Sequence, residues 1–257
     1  MIRWAALLHL ALWLTTPAAL AQETVVTGLS TENIALNATF DGSELFVFGA
    51  IRRDAPIPED ADPLDVIITI KGPVRPITVR EKSRWFGIWV NRSAVRIRET
   101  PSFYAIASTR PMGDLLTETE RLRYRIGMDQ AVRKMESAPG VEDTRPFAEA
   151  VVRLREESGL YARLDGDVSL AEDTLFQTHI KLPSNIVEGD YVAEFFLVRD
   201  RKVISSGAAE IVVEKTGIER WLYNLAHNRP FIYGLFSVAL ALAAGWLAAT
   251  AFRIAKR

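Results

Sequence analysis

The chain has 257 residues, 49% of them hydrophobic and 25% charged, with no cysteine and a formal net charge of -1. That length holds one large domain or two small ones in an ordinary globular composition. Balanced charge argues against a nucleic-acid partner, since phosphate affinity needs clustered, unbalanced Lys and Arg. Absence of cysteine removes disulfide frameworks, zinc ribbons, thiol catalysis and cysteine-linked lipid anchors. Mean hydropathy is +0.07, high for a soluble enzyme, and the two ends of the chain account for it.

At the N-terminus, Arg3 precedes an apolar run from Trp4 to Leu14, and Ala19-Leu20-Ala21 has the small-residue pattern of a signal-peptidase site. Residues 1–21 therefore read as a secretory signal peptide cleaved before Gln22. The alternative, an uncleaved membrane helix, is disfavoured because the run is too short to cross about 30 Å of hydrocarbon. At the other end, residues 231–252 carry no charge, a length that spans a bilayer as a helix. Arg253, Lys256 and Arg257 follow it. With the signal removed, this topology puts residues 22–215 outside and the tail, residues 253–257, in the cytoplasm. In a bacterium with two membranes, the expected location is the inner membrane with the domain in the periplasm.

The exported part reads as strands. Candidates in chain order are Thr24–Leu29, Ile34–Leu36, Glu44–Ile51, Asp65–Lys71, Ile77–Glu81, Trp85–Val90 and Ser102–Ser108, punctuated by Asp41-Gly42 and Gly72-Pro73. Val66, Ile67, Ile68 and Ile70 suit a central strand covered on both faces. From about 113 to 160 the period becomes helical. Thr117 and Glu120 form a capping-box pair, and Phe147, Val151 and Leu154 recur at i, i+4 and i+7. Strands resume at Leu175–Leu182, Tyr191–Arg199 and Val203–Glu214. In the first of these, Phe176, Thr178, Ile180 and Leu182 share one face. Gly189-Asp190-Tyr191, entering an alternating strand after a proline-bearing loop, resembles the corner of immunoglobulin-like sandwiches. The expected fold is mainly β: an immunoglobulin-like antiparallel sandwich with a two-helix insertion and one C-terminal transmembrane helix.

Motifs for chemistry are sparse. His179 and His227 lie far apart with no ligand-spaced neighbour, and no nucleophile elbow or phosphate loop is present. No catalytic, cofactor or metal residue is assigned, no cofactor is expected, and the protein is read as a non-enzyme. Two acidic groups, Asp54 to Asp65 and Asp165 to Asp173, are either calcium ligands or a solvated loop and a type I′ turn. Trp85, Gly87 and Trp89 would point the same way in a strand. They are either core or a ligand or partner surface in which Gly87 leaves a gap for a flat molecule. Near the membrane, residues 216–230 form an interfacial helix with Trp221, Leu222 and Leu225 on its apolar face, stopped by Pro230. Within the span, Ser237, Ala241, Gly245 and Ala249 repeat every four residues. That spacing either lets a second helix approach closely or follows from seven alanines in the stretch.

The motifs Leu45-Phe46-Val47-Phe48-Gly49-Ala50, Arg84 to Val90, Gly189-Asp190-Tyr191 and Lys215 to Trp221 running into Tyr233-Gly234-Leu235 resemble the uncharacterised family of putative transmembrane proteins of alphaproteobacteria. The resemblance implies the topology above and an accessory role beside a transporter, and it lends no catalytic residue. The expected partners are the inner-membrane bilayer and a transporter-like integral membrane protein. The alternatives are a tethered solute-binding or sensing module and, less favoured, a cell-envelope hydrolase working through the acidic loops.

Overall fold

The computed structural model describes residues 23–36, 40–54, 62–137, 141–215 and 218–255. The signal peptide and most of the first acidic loop lie outside them.

Thirteen strands build three sheets among the described residues. In the first sheet, β3 (Gly42–Arg53) lies between β1 (Glu23–Leu29) and β11 (Leu175–Pro183), with β10 (Ser169–Ala171) on the far edge. The second has the order β2 (Asn33–Leu36), β13 (Lys202–Lys215), β12 (Gly189–Arg199), β4 (Asp65–Lys71), β7 (Tyr104–Ser108) and β9 (Tyr161–Asp165). Its pairings are antiparallel except β2 with β13 and β7 with β9. With β9 as an additional edge strand, the remaining order reads as A-B-E-D facing A′-G-F-C-C′, that of an immunoglobulin-like sandwich.

Period-two alternation explains how the layers meet. Phe176, Thr178, Ile180 and Leu182 of β11 are buried while Gln177, His179 and Lys181 face solvent, as their alternation requires. Phe176 meets the ring of Phe195 on β12, with centroids 5.9 Å apart, and joins the two sheets. The next residue, Phe196, points to the opposite face and packs edge-on against Tyr124, 5.8 Å away. Both faces of the second sheet are therefore covered. That is why Val66, Ile67, Ile68 and Ile70 of β4 are fully buried with no alternation. Tyr191 donates its hydroxyl proton to the Val187 carbonyl at 2.8 Å, completing the corner read from Gly189-Asp190-Tyr191.

The insertion is richer than two helices. It contains α1 (Met112–Leu115), α2 (Glu118–Tyr124), α3 (Met128–Ala131), β8 (Arg133–Ser137) and α4 (Arg145–Glu157). Only half of the capping box forms. Thr117 Oγ1 accepts from the Glu120 amide at 3.3 Å, but the Glu120 carboxylate accepts from the Val203 amide of β13 at 3.1 Å and ties the insertion to the sandwich. On α4, Phe147 and Val151 are buried and Leu154 is exposed, so the apolar stripe is one residue shorter than its spacing suggests.

The third sheet differs most from expectation. β5 (Val74–Trp85) and β6 (Ile88–Pro101) make a long hairpin, with β8 on its outer edge. The segment Trp85–Val90 is thus the reversal between two strands rather than a strand of its own. After β13 come α5 (Ile218–Asn228) and α6 (Pro230–Ala255), which holds an apolar stretch over Pro230–Ala251 long enough to cross a membrane.

Candidate functional site

The hairpin continues the second sheet. Lys71 of β4 pairs with Tyr104 of β7, the Gly72 amide donates to the Phe103 carbonyl, and the Ser102 amide donates to the Pro73 carbonyl. Val74 then pairs with Pro101, so the register runs unbroken from Ile67↔Ser108 to Arg75↔Thr100. One two-stranded ribbon therefore starts inside the sandwich and leaves it. Irregularities at Arg75/Ile77 and Glu81/Lys82 add local twist. Near its root the ribbon has an apolar face: Val95 and Ile97 are buried, with Ile77, Val79 and Met135 packed beside them. Beyond Glu81 that cover ends.

At the tip, Phe86 (φ 46°) and Gly87 (φ 85°) form a two-residue turn with both φ values positive, as a type I′ hairpin requires. Glycine adopts this conformation freely. Phenylalanine does so at a cost of about 1–2 kcal/mol. The turn also overturns the expected geometry of the tryptophans. Trp85 pairs with Ile88 and Trp89 pairs with Arg84, so reversal places the two indoles on opposite faces of the ribbon. They frame no common gap, and Gly87 has no heavy atom within 4 Å of a Cβ built on it. Nor are they core: Trp85 is 60% exposed, Phe86 88%, Ile88 61% and Trp89 69%. The edge-on contact between the Trp85 and Phe86 rings, 4.8 Å apart, is a contact within the tip itself.

Sequence also understated the charge around them. From Val74 to Pro101 there are seven Arg and Lys and two Glu, in a chain whose net charge is only -1. Lys82 and Arg84 share a face with Trp89, while Trp85, Ile88 and Val90 share the other. A count over the whole chain dilutes this bias, whereas a count over the hairpin alone reveals it.

Two of the acidic side chains, Asp65 and Asp165, have partners within the fold. Asp65 is buried, receives Thr109 Oγ1, and is bridged by the Arg110 guanidinium, with Nε 2.9 Å from Oδ1. Asp165 accepts from Ser108 Oγ at 3.4 Å. No group of three or more metal-ligating side chains occurs among the described residues. Glu23, the first described residue, is buried between two guanidiniums, with Arg53 Nε and Arg199 Nη1 each 2.8 Å from its carboxylate.

The membrane-proximal helices meet at a bend. Arg229 donates its amide to Leu225 and Tyr233 to Arg229, and the Trp221 ring packs edge-on against Phe236 at 5.7 Å. Leu222 and Leu225 are half-buried and Trp221 is exposed; the side chains of residues 218–220 and the cap at Thr216 lie outside the described residues. Tyr223 and Asn224 line a cleft with Glu188, Gly189, Asp190 and Val212–Glu214, so α5 sits beneath the end of β12 and β13. In α6, Ser237 and Thr250 donate their hydroxyl protons to the carbonyls of Tyr233 and Trp246, at 2.9 and 2.6 Å. Those polar groups are thereby satisfied within the helix, as a hydrocarbon environment demands. Gly245 has no heavy atom within 4 Å of a built Cβ, which leaves its flank open.

Among the described residues, a β-rich body continues into one apolar helix long enough to cross a membrane, near the C-terminus. Residues 24–254 match the family described as putative transmembrane protein, and the chain belongs to that family. No curated protein matches it.

Proposed function

We propose that the chain is an exported, non-enzymatic accessory domain, fixed by one helix to the inner membrane with its β-sandwich in the periplasm, and that it serves an integral membrane partner of transporter type. The observation that supports this reading is the surface of α6. Among the described residues none of its apolar window is buried, and Ser237, Ala241, Gly245 and Ala249 give it a slowly drifting stripe of small side chains. Such stripes let helix backbones approach closely in lipid, where hydrophobicity alone does not drive association.

The test is crosslinked affinity purification of the full-length protein from its native membrane, beside a version with residues 231–252 replaced by polyleucine. A stoichiometric integral partner recovered only with the native span is the expected result. Recovery of the protein alone in both cases would refute partner docking through the span. Mass analysis of the mature chain checks the export step, with Gln22 expected as its first residue.

A further inference from the structure

We propose that the tip of the β5–β6 hairpin is a second membrane-contact site, which inserts Trp85, Phe86, Ile88 and Trp89 into the interfacial layer of an anionic phospholipid bilayer. The bilayer is the one that α6 crosses, so the inference rests on the tethered topology proposed above.

Direction comes from register. Lys71 pairs with Val192, and Gly189 pairs with Val213, so β4 ends at the edge of the sheet where β13 delivers the chain to α5 and α6. The ribbon leaves the sandwich at that same end. From Arg75 to Trp85 it advances ten further residues, about 33 Å at about 3.3 Å per residue. Only Thr216 and Gly217 lie between β13 and α5, so the sheet end stays close to the membrane surface and the hairpin has ample reach.

Composition identifies the occupant. Four large apolar side chains at a tip, two of them tryptophan, match the preference of indole for the boundary between headgroup and acyl chain. Lys82 and Arg84 stand just behind them, placed to meet lipid phosphates while the rings go deeper. Phe86 meets the ring of its neighbour Trp85 and is otherwise open to solvent, yet its backbone is held at positive φ at the protruding end of the ribbon. Packing within the domain does not account for an aromatic residue there, and contact with a bilayer does.

The chain has no cysteine, so one introduced thiol is unique. Full-length Ile88→Cys, labelled with an environment-sensitive fluorophore, is reconstituted alone in nanodiscs of phosphatidylglycerol and phosphatidylcholine. A parallel Ala244→Cys protein reports on the span. The expected result is blue-shifted emission at position 88, quenched by lipids spin-labelled near the headgroup and less by lipids labelled at the acyl terminus. Each cation strengthens contact with an anionic surface about fivefold, so adding Lys82→Gln and Arg84→Gln lowers the inserted-to-free ratio about 25-fold. A water-like, unquenched probe at position 88 beside a quenched probe at position 244 overturns the proposal. That is also the result expected if the tip binds a protein instead. An unquenched probe at position 244 would refute the tether itself and separates the two failures.

Discussion

Replacing Glu23 by Gln removes a buried negative charge from between two guanidiniums while keeping the side-chain shape. Arg53 and Arg199 are 13% and 22% exposed at their side chains, and both contacts to Glu23 are 2.8 Å. Breaking one partner of a fully buried pair costs about 3–5 kcal/mol. Here each arginine keeps another acceptor, Arg53 on Thr174 and Arg199 on the Asp62 carbonyl. The expected loss is therefore smaller, about 2–3 kcal/mol, which lowers the melting temperature by about 4–12 °C in a domain of this size. Thermal unfolding of the full-length protein in detergent, followed by circular dichroism, measures it. A double-mutant cycle with Arg53→Met then isolates the coupling between the two side chains. A Glu23→Gln change within about 0.5 kcal/mol of the parent, the range of an ordinary surface substitution, would refute the clamp as a stabilising device.

Gly49→Ala sets a methyl 2.2 Å from Phe176 Cζ and 2.7 Å from the Val26 carbonyl oxygen. A ring and a backbone must both give way, so a loss of about 1–3 kcal/mol is expected in the same melt, and an unchanged melting temperature would contradict the packing described. Burial raises Tyr104 from about 10 to about 12 and also raises Tyr161 and Tyr191. The folded state keeps these protons after the unfolded chain releases them. Their stabilisation is therefore complete below pH 10 and falls as pH climbs toward 12, by up to about 1.4 kcal/mol per pH unit for each group. Stability against denaturant at stepped pH shows this, and Tyr104→Phe is expected to flatten the alkaline decline.

Elements whose neighbours in space share one local pattern were legible from sequence. β4 and β11 follow directly from the β-branched run at Val66 to Ile70 and the alternation at Phe176 to Leu182. Tyr191 announced its corner because the glycine, loop and strand that make it are consecutive residues. The hairpin was misread because its signal is tertiary. Phe86-Gly87 lacks the Asn or Asp that normally marks a type I′ turn, so an aromatic run looked like a buried strand. β6 is broken by Arg92, Arg96 and Arg98, which obscure the apolar positions Val95 and Ile97. β9 and β10 escaped for a different reason: they are short edge strands ordered by partners on β7 and β11. The same error shifted the tip: alternation put Trp85 and Trp89 on one face, and chain reversal put them on two.

The position of β13 in the chain sets the order in which the protein can be completed. It holds β12 on one side and β2 on the other, and it is the strand made immediately before the helices that lead into the bilayer. Among the described residues β2 pairs with β13 alone, and the pairing of Val213 with Ile34 must close a loop across most of the domain. Only the 14 residues 216–229 separate β13 from α6. Closure of the sandwich therefore coincides with synthesis of the anchor. In the tethered topology proposed above, the domain would reach its native state already beside the lipid surface.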